Sequence, residues 1–288
     1  MPELAEVEFF RKRWDLAAAG QSIRSVALHR NAKVFRGTDV TALQKALTGA
    51  RLLSSEAAAK QMLFRFSNAH WLGIHLGMSG DLYVKPVTYA VGKHDHLVLV
   101  TRRHCLVYTD PRMFGRVLFH SGPDAPDWWT KIAPAILSDE FTIAKVTEFL
   151  KRRARAPIKA VLLMQERFPG VGNWMADEIL WRAAIHPKRQ AGTLTTAETK
   201  NLWRECRRVC KLALENIAGK ADKLPPDLNV NIPETWLFRH RWRAGGRCPK
   251  TGVLLVREDV GGRTTCWSPG RQPEPRESHQ VLQQRTRK

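Results

Sequence analysis

The chain lacks the features that define several large protein classes. Its 288 residues hold only five cysteines, Cys105, Cys206, Cys210, Cys248 and Cys266, an odd number, widely spaced and without a single C-x-x-C pair. That pattern excludes a disulfide framework and an intact zinc ribbon. No apolar run approaches the ~20 residues a membrane-spanning helix requires. The N-terminal PELAEVEFF has neither the positive start nor the apolar stretch of a signal peptide, so a cytoplasmic, nucleoid-associated location is expected. Acids are scarce as well: 27 Asp and Glu face 47 Lys and Arg, a formal net charge of +20. Such a surplus favours a polyanionic partner, nucleic acid first. With 43% hydrophobic residues and 10 Trp, the chain has the apolar surface that disordered basic tails lack. Only the end, PEPRESHQVLQQRTRK from Pro273, reads as a disordered basic tail.

Apolar residues at Leu4, Val7, Phe10, Trp14 and Ala17 recur at intervals of three and four, and Gly20 supplies a left-handed stop. A helix therefore opens the chain. From about 22 to 120 the pattern changes to short β-like runs, SIRSVAL, MLFRF, HWLGIHL, HLVLV, CLVYT and RVLF, punctuated by Gly, Pro, Asn and Asp. Beyond 134 helical periods return over 143–153, 158–166, 174–184 and 195–217, the last opening with Thr195 and Glu198 in capping-box spacing and closing at Gly219. Cys206 and Cys210 lie on its apolar stripe with Leu202, Val209, Ala213 and Ile217, which makes them small core residues. The segment 233–272, rich in Trp, Arg and Gly, shows two short strands, VLLV and RTTCW, around a turn at 259–262. The expected fold class is α+β: an N-terminal helix plus β-sandwich domain over 1–135, a helical domain over 136–225, a β-hairpin finger over 226–272 and the tail over 273–288.

Removal of Met1 before the small residue Pro2 would leave a prolyl secondary amine. An α-amino group has a pKa near ~7.7–8.0, so an appreciable fraction is neutral and nucleophilic at physiological pH. Attack by a secondary amine on a sugar C1′ gives a cationic iminium, an electron sink for elimination. Glu3 stands beside it as acid or base. Lys60 closes the small-residue run AAAK before a strand, and Met78 occupies the tip of the Gly-flanked turn GMSG. Arg112 and Phe114 in DPRMFG offer a planar cation and an aromatic wedge. In PGVGN, Pro169 stops one helix, Gly170 and Gly172 allow close approach, and Asn173 can cap the next, so several free amides would form an anion site.

Taken in order, these segments resemble the formamidopyrimidine-DNA glycosylase family, Fpg/Nei, also called MutM. PELAEVE over 2–8 is similar to that family's PELPEVE start. The resemblance continues through AAAK to Lys60, IHLGMSG (74–80), KHDH (93–96), YTDPRMFG (108–115), PGVGNWMADEIL (169–180) and GRTTCWSPGRQ (262–272), covering nearly all of the chain before the tail. It implies a bifunctional DNA glycosylase and AP lyase of base excision repair. Pro2 would attack C1′ and the strand would be cut by β- and δ-elimination, with Glu3 and Lys60 as proton-transfer or electrostatic partners. The implied substrates are oxidised purines, 8-oxoguanine and formamidopyrimidine; the alternative is the same chemistry on oxidised pyrimidines, hydantoins or crosslinked bases. Met78, Arg112 and Phe114 would fill the gap left by a flipped-out nucleotide, whose lost stacking costs a few kcal/mol. His94, Lys159, Asn173 and Arg263 would contact DNA phosphates, the middle domain would be helix-two-turns-helix (H2TH), and His75 would support the Met78 loop.

Three departures from the family pattern stand out. The four zinc-ligand places hold Cys248, Thr251, Ser268 and Arg271, so a tetrahedral thiolate site cannot be assembled and a zincless finger is expected. Met113 replaces the second Arg of DPRRFG. The segment 219–231, GKADKLPPDLNVN, does not resemble the loop that covers flipped 8-oxoguanine. The expected partner is damaged double-stranded DNA, bound by a monomer without membrane association or cofactor. The rival from another class, a non-catalytic binder of damaged DNA, would need neither Pro2 nor Glu3.

Overall fold

The computed structural model describes residues 2–274; beyond Glu274, the expected tail lies outside the described residues. The chain divides into two compact units that interleave along the sequence. The first takes Met1–Phe141, Met164–Gly172 and Arg207–Ile232; the second takes Thr142–Leu163, Asn173–Cys206 and the chain from Pro233.

In the first unit, α1 (Leu4–Ala18) leads into β1 (Ser25–Leu28), α2 (Val40–Leu47), β2 (Leu52–Ala58), β3 (Gln61–Phe66), β4 (His70–His75), β5 (Asp81–Pro86), β6 (Asp95–Val100), β7 (His104–Thr109) and β8 (Arg116–Ser121). The strands form two four-stranded antiparallel sheets, β1-β6-β7-β5 and β2-β3-β4-β8. The sandwich core is their alternating apolar residues, among them Leu63, Leu72, Leu97, Leu106 and Val117, all buried. Helix α1 packs on both sheets: the Trp14 indole N–H donates to the Tyr83 carbonyl of β5 at 3.0 Å, and its ring lies 5.3 Å from that of Phe64 in β3. Gly20 has the left-handed φ of +76° that stops the helix. Two strands, and the helices over Val40–Leu47 and Asp127–Thr130, were not read from the sequence. Both unread strands, β2 (LLSSEAA) and β5 (DLYVKP), are sheet edges, where polar residues guard against further pairing and blur the alternation.

The single-turn helix α3 (Asp127–Thr130) closes the first unit's leading segment, and the second unit opens with α4 (Ile143–Arg152), α5 (Ile158–Leu162) and α6 (Asn173–Ala183). The helix expected over 158–166 stops at Leu162, and Gln165 beyond it bonds to the loop that follows, at Gly170 and Val171. α7 (Thr196–Ala213) has its capping box: Thr195 N–H donates to Glu198 Oε2 at 2.8 Å and Glu198 N–H to Thr195 Oγ1 at 3.2 Å. It ends in a wider turn, Leu214–Ala218, and at Gly219 (φ +73°). Leu202, Cys206, Val209, Cys210, Ala213 and Ile217 are all buried on its inner stripe. The finger is a two-stranded hairpin of β9 (Val256–Asp259) and β10 (Thr264–Trp267). VLLV is thus not the first strand; Leu254 forms an isolated bridge to Arg247, and the ladder starts at Val256.

Candidate functional site

The start of α1 is held from outside the helix. Leu4 N–H donates to the Gly170 carbonyl at 3.0 Å, Gly172 N–H to Glu3 Oε2 at 2.9 Å, and Glu3 N–H to Glu6 Oε2 at 3.1 Å. The Glu3 carboxylate, in a side chain only 2% exposed, is therefore placed by the PGVG loop. A Cβ on Gly172 would stand 2.3 Å from the Glu3 carboxyl carbon, which explains the glycine. The expectation of free amides over this loop is corrected. Gly170 N–H donates to Gln165 Oε1 at 3.1 Å, Val171 N–H to the Phe168 carbonyl at 3.2 Å, and Gly172 N–H to Glu3. The loop is a cradle for residues 3 and 4, and its amides are not available to an anion.

Lys60 is the second residue of the two-residue turn between β2 and β3, closed by the Ala58–Gln61 pair. Ala59 takes the left-handed φ of +54° that such a turn needs. Its carbonyl lies 3.2 Å from where a Cβ on Gly170 would be, so the Lys60 turn and Glu3 abut the same loop. His75, paired across the sheet with Gln61, has its pKa lowered by burial first and then by the charges of Lys60 and Arg36. A neutral ring fits its bonding, since Nδ1 accepts the Gly77 N–H at 3.1 Å. His75 thereby shapes the loop that carries Met78.

Met78 and Phe114 are each 49% exposed, a conspicuous position for large apolar side chains. The Arg112 guanidinium lies 4.6 Å from the Phe114 ring centre, and Met113 between them sits at φ +52°. The residue that joins the two loops, Asp110, was not picked out from the sequence. Fully buried, it accepts the Ser79 hydroxyl at 2.5 Å and the Arg112 N–H at 3.3 Å on Oδ1, and the Gly115 N–H at 2.7 Å on Oδ2. Gly77 allows the Met78 loop to lie against the Phe114 backbone, which a Cβ would meet at 2.5 Å. Asp directly before Pro, a common turn initiator, was the available signal. His94 is exposed in the turn before β6, its carbonyl accepting the Asp110 N–H at 3.1 Å.

In the second unit, Asn173 is the first residue of α6 rather than a cap before it, and its Nδ2 donates to the Thr264 carbonyl of β10 at 2.8 Å. Arg263, exposed, is the neighbour of Thr264 and the last residue of the hairpin loop, in which Gly261 and Gly262 have φ of +64° and +74°. Asn173 and Arg263 are thus brought together. Lys159 is not: it is 0% exposed, with Nζ donating to the Asn173 carbonyl at 2.6 Å and to Asp177 Oδ1 at 2.5 Å. The expected direct phosphate contact is corrected, since an enclosed ammonium locked to a carboxylate positions Asn173 instead. Asp177, a second residue not singled out from the sequence, also accepts Arg241 Nη2 at 2.5 Å and the Cys266 N–H at 3.0 Å.

Among the described residues no three His, Cys, Asp or Glu side chains converge on a metal site, and one thiol with two hydroxyls and a guanidinium does not fit zinc. Those four places do form a cluster. Burial pushes the Cys248 thiol up, but contacts from Ser268 and Thr251, the Trp181 indole and the Lys250 backbone outweigh it and bring the pKa down to about 7. The Trp181 Nε1–H donates to the sulfur at 3.3 Å. The Ser268 hydroxyl, close to the sulfur, has no well-aligned partner of its own. Arg271 donates from Nε to the Trp181 carbonyl at 2.6 Å and from Nη2 to that of Arg182 at 2.8 Å.

Residues 1–117 match the formamidopyrimidine-DNA glycosylase N-terminal domain and residues 132–223 the H2TH domain of the same enzymes. The formamidopyrimidine-DNA glycosylase of Laribacter hongkongensis is 34% identical over 275 residues, which is 93% of this chain and 98% of that one. The chain belongs to the formamidopyrimidine-DNA glycosylase family. The Thermus thermophilus relative is also 34% identical, over 95% of this chain and 99% of its own. Solved structures of the family agree. Wild-type Lactococcus lactis Fpg (MutM), in complex with DNA containing an oxidised pyrimidine, superposes with a TM-score of 0.83 at 26% identity over 95% of this chain and all of that one. A MutM complex with DNA carrying carbocyclic 8-oxo-G gives 0.82 at 26% identity over the same shares. The chain is accordingly a DNA-binding repair glycosylase with the N-terminal sheet domain and H2TH domain of its family. Among the described residues no helix is long and apolar enough to cross a membrane.

Proposed function

We propose that this glycosylase excises oxidised purines, 8-oxoguanine and formamidopyrimidine, from double-stranded DNA as a cytoplasmic monomer, and that it cuts the strand as an AP lyase through Pro2. The observation that carries this reading is the fixed Glu3 carboxylate beside Pro2, held by the Gly172 N–H at 2.9 Å, with the Lys60 turn against the same loop. The Pro2 nitrogen forms a bond to C1′ while the glycosidic bond breaks; its electron pair leaves with the base, which takes up a proton. The Pro2 nitrogen loses its proton, the C1′–O4′ bond opens as O4′ takes up a proton, and the iminium so formed between Pro2 and C1′ acidifies C2′. Loss of a C2′ proton expels the 3′-phosphate, and a second elimination expels the 5′-phosphate. Glu3 and Lys60 serve as proton-transfer or electrostatic partners.

Met78, Arg112 and Phe114 would occupy the gap in the duplex, with Arg112 stacked on Phe114 in advance. His94, Asn173 and Arg263 would take phosphates, and Lys159 would orient Asn173. We include in the reading a finger that works without zinc. An oxidised-pyrimidine preference is the second reading, favoured by the Lactococcus lactis relative's complex and by the divergent 219–231 segment.

Borohydride reduction on an abasic-site duplex tests the chemistry. Protein with a free Pro2 nitrogen traps a covalent adduct, and protein extended so that this nitrogen lies in a peptide bond does not. Equal trapping by both forms would remove Pro2 from the mechanism. A panel of lesions, read as relative excision rates, decides between purine and pyrimidine substrates.

A further inference from the structure

The second unit carries an aromatic surface that the proposed reaction does not use. Trp242 is 54% exposed, the largest exposure among the bulky apolar side chains of the described residues. It is also held in place. The Arg241 guanidinium lies 4.6 Å from its ring centre, and that guanidinium is pinned by the buried Asp177 through Nη2 at 2.5 Å and Nε at 3.2 Å. Trp242 also meets Phe238 in a T-shaped contact at 5.1 Å and 80°, and Phe238 in turn meets Trp174, next to Asn173, at 5.0 Å and 81°. An indole held by a buried ion pair over its ring and by a T-shaped contact with a second ring has little rotamer freedom left to lose. That is the property of a stacking surface rather than of a stray exposed side chain.

The sequence around Trp242 is basic, although Arg239 pairs with Glu234 and Arg241 with Asp177. From residue 235 to 257 there is no Asp or Glu, whereas Arg239, Arg241, Arg243, Arg247, Lys250 and Arg257 are all present. Arg243, exposed and next to Trp242, has no ion-pair partner among the described residues. The same Asp177 that fixes Arg241 holds Lys159, and through it Asn173, as well as the Cys266 N–H of the finger. Trp242 is therefore built on the node that organises the proposed phosphate contacts of this unit.

We propose that Trp242 is a stacking platform for an unpaired nucleobase, with Arg243 taking an adjoining phosphate, so that the chain binds single-stranded DNA in addition to the lesion duplex. A rigid aromatic face beside an exposed arginine is the arrangement that accepts bases irrespective of sequence, because every base has a π-face. A folded acidic protein partner fits less well: it would find guanidinium groups but leave the flat indole face without a matching ring. The inference rests on the DNA-binding function for its choice of ligand and is independent of the chemistry at Pro2.

The test compares the full chain with Trp242→Ala, Trp242→Phe and Arg243→Ala. Binding of fluorescein-labelled single-stranded oligothymidylate is measured by anisotropy, and nicking of a blunt abasic-site duplex is measured alongside. Trp242→Ala should weaken oligothymidylate binding by roughly 5- to 100-fold, Trp242→Phe should recover most of the loss, and Arg243→Ala should lower the salt slope by about 1. Nicking of the blunt duplex should stay within twofold, and near-UV circular dichroism should match the parent. Unchanged oligothymidylate binding in Trp242→Ala, or no binding by the parent chain, would overturn the proposal. So would an equal loss on both probes, which would make Trp242 a duplex contact. Absence of nicking by the parent protein counts against the Pro2 reaction alone and leaves the platform to be judged by the anisotropy series.

Discussion

Backbone amides fix both Glu3 and Asp110, so the glycines that supply or approach those amides are as critical as the carboxylates. Gly172 is the sharpest case. Gly172→Ala would place a methyl group 2.3 Å from the Glu3 carboxyl carbon, displacing it by about an ångström, and misplacement of that size costs roughly 100-fold in rate. Single-turnover nicking of an abasic duplex should show that loss with the thermal midpoint nearly unchanged, because the clash moves one carboxylate and no core side chain. Asp110→Asn makes the complementary point. The amide keeps the shape but turns at least one acceptor into a donor facing the Gly115 N–H or the Ser79 hydroxyl. An unsatisfied buried group of this kind costs about 1–3 kcal/mol. Weaker binding to a lesion duplex is expected, read as an increase in Kd, together with a lower thermal midpoint. The pairing of Glu3 with Gly172 was not legible in the chain, since the two are 169 residues apart, whereas Asp110 bonds to Arg112 and Gly115 within its own motif and only its bond to Ser79 is remote.

At the level of elements, the reading succeeded where a run alternates cleanly, on inner and edge strands alike, and failed where polar residues break the pattern or an element serves a loop. The edge strands β1 and β8 were read from SIRSVAL and RVLF, whereas β2 (LLSSEAA) and β5 (DLYVKP) carry interrupting polar residues. α5 is shorter than its periodicity, and Gln165 beyond it bonds to the PGVG loop, accepting from Gly170 and donating from Nε2 to the Val171 carbonyl at 2.9 Å. The finger is built around the Cys248 sulfur, which receives the Trp181 indole N–H. Cys248 has a pKa of about 7 against an ordinary 9.0, so the thiolate is favoured by the folded state. The resulting stability is fully present above pH 9 and is lost as pH falls through 7. The thermal midpoint should therefore rise between pH 7 and 9, and Cys248→Ala should flatten that part of the profile. A chelator should leave the midpoint unchanged and metal analysis should find no stoichiometric zinc; a midpoint lowered by chelation would contradict the zincless finger.

For the whole molecule, the surplus of +20 resolves into two kinds of cation. Some are structural, as Lys159 shows by being sealed against Asp177, and composition alone cannot separate these from exposed ones such as Arg263. The distinction is measurable. Each exposed phosphate contact removed should reduce the slope of log K against log salt by about 1. Arg263→Ala should lower it and weaken binding alike for damaged and undamaged duplex. Lys159→Met should instead destabilise the fold, because it leaves Asp177 with one cation fewer in the interior, where breaking a buried pair costs about 3–5 kcal/mol. The order of motifs made the family legible from the sequence, but which lysines face DNA depends on burial that only the fold provides. Asp110 carries a further consequence, this one for divergence. Because one carboxylate sets both the Met78 loop and the Arg112–Phe114 loop, the two cannot be tuned separately. Substitutions in them should be epistatic, with double-mutant cycles departing from additivity by about 0.5–3 kcal/mol. New lesion preferences would then arise through paired changes across these loops and rarely through single ones.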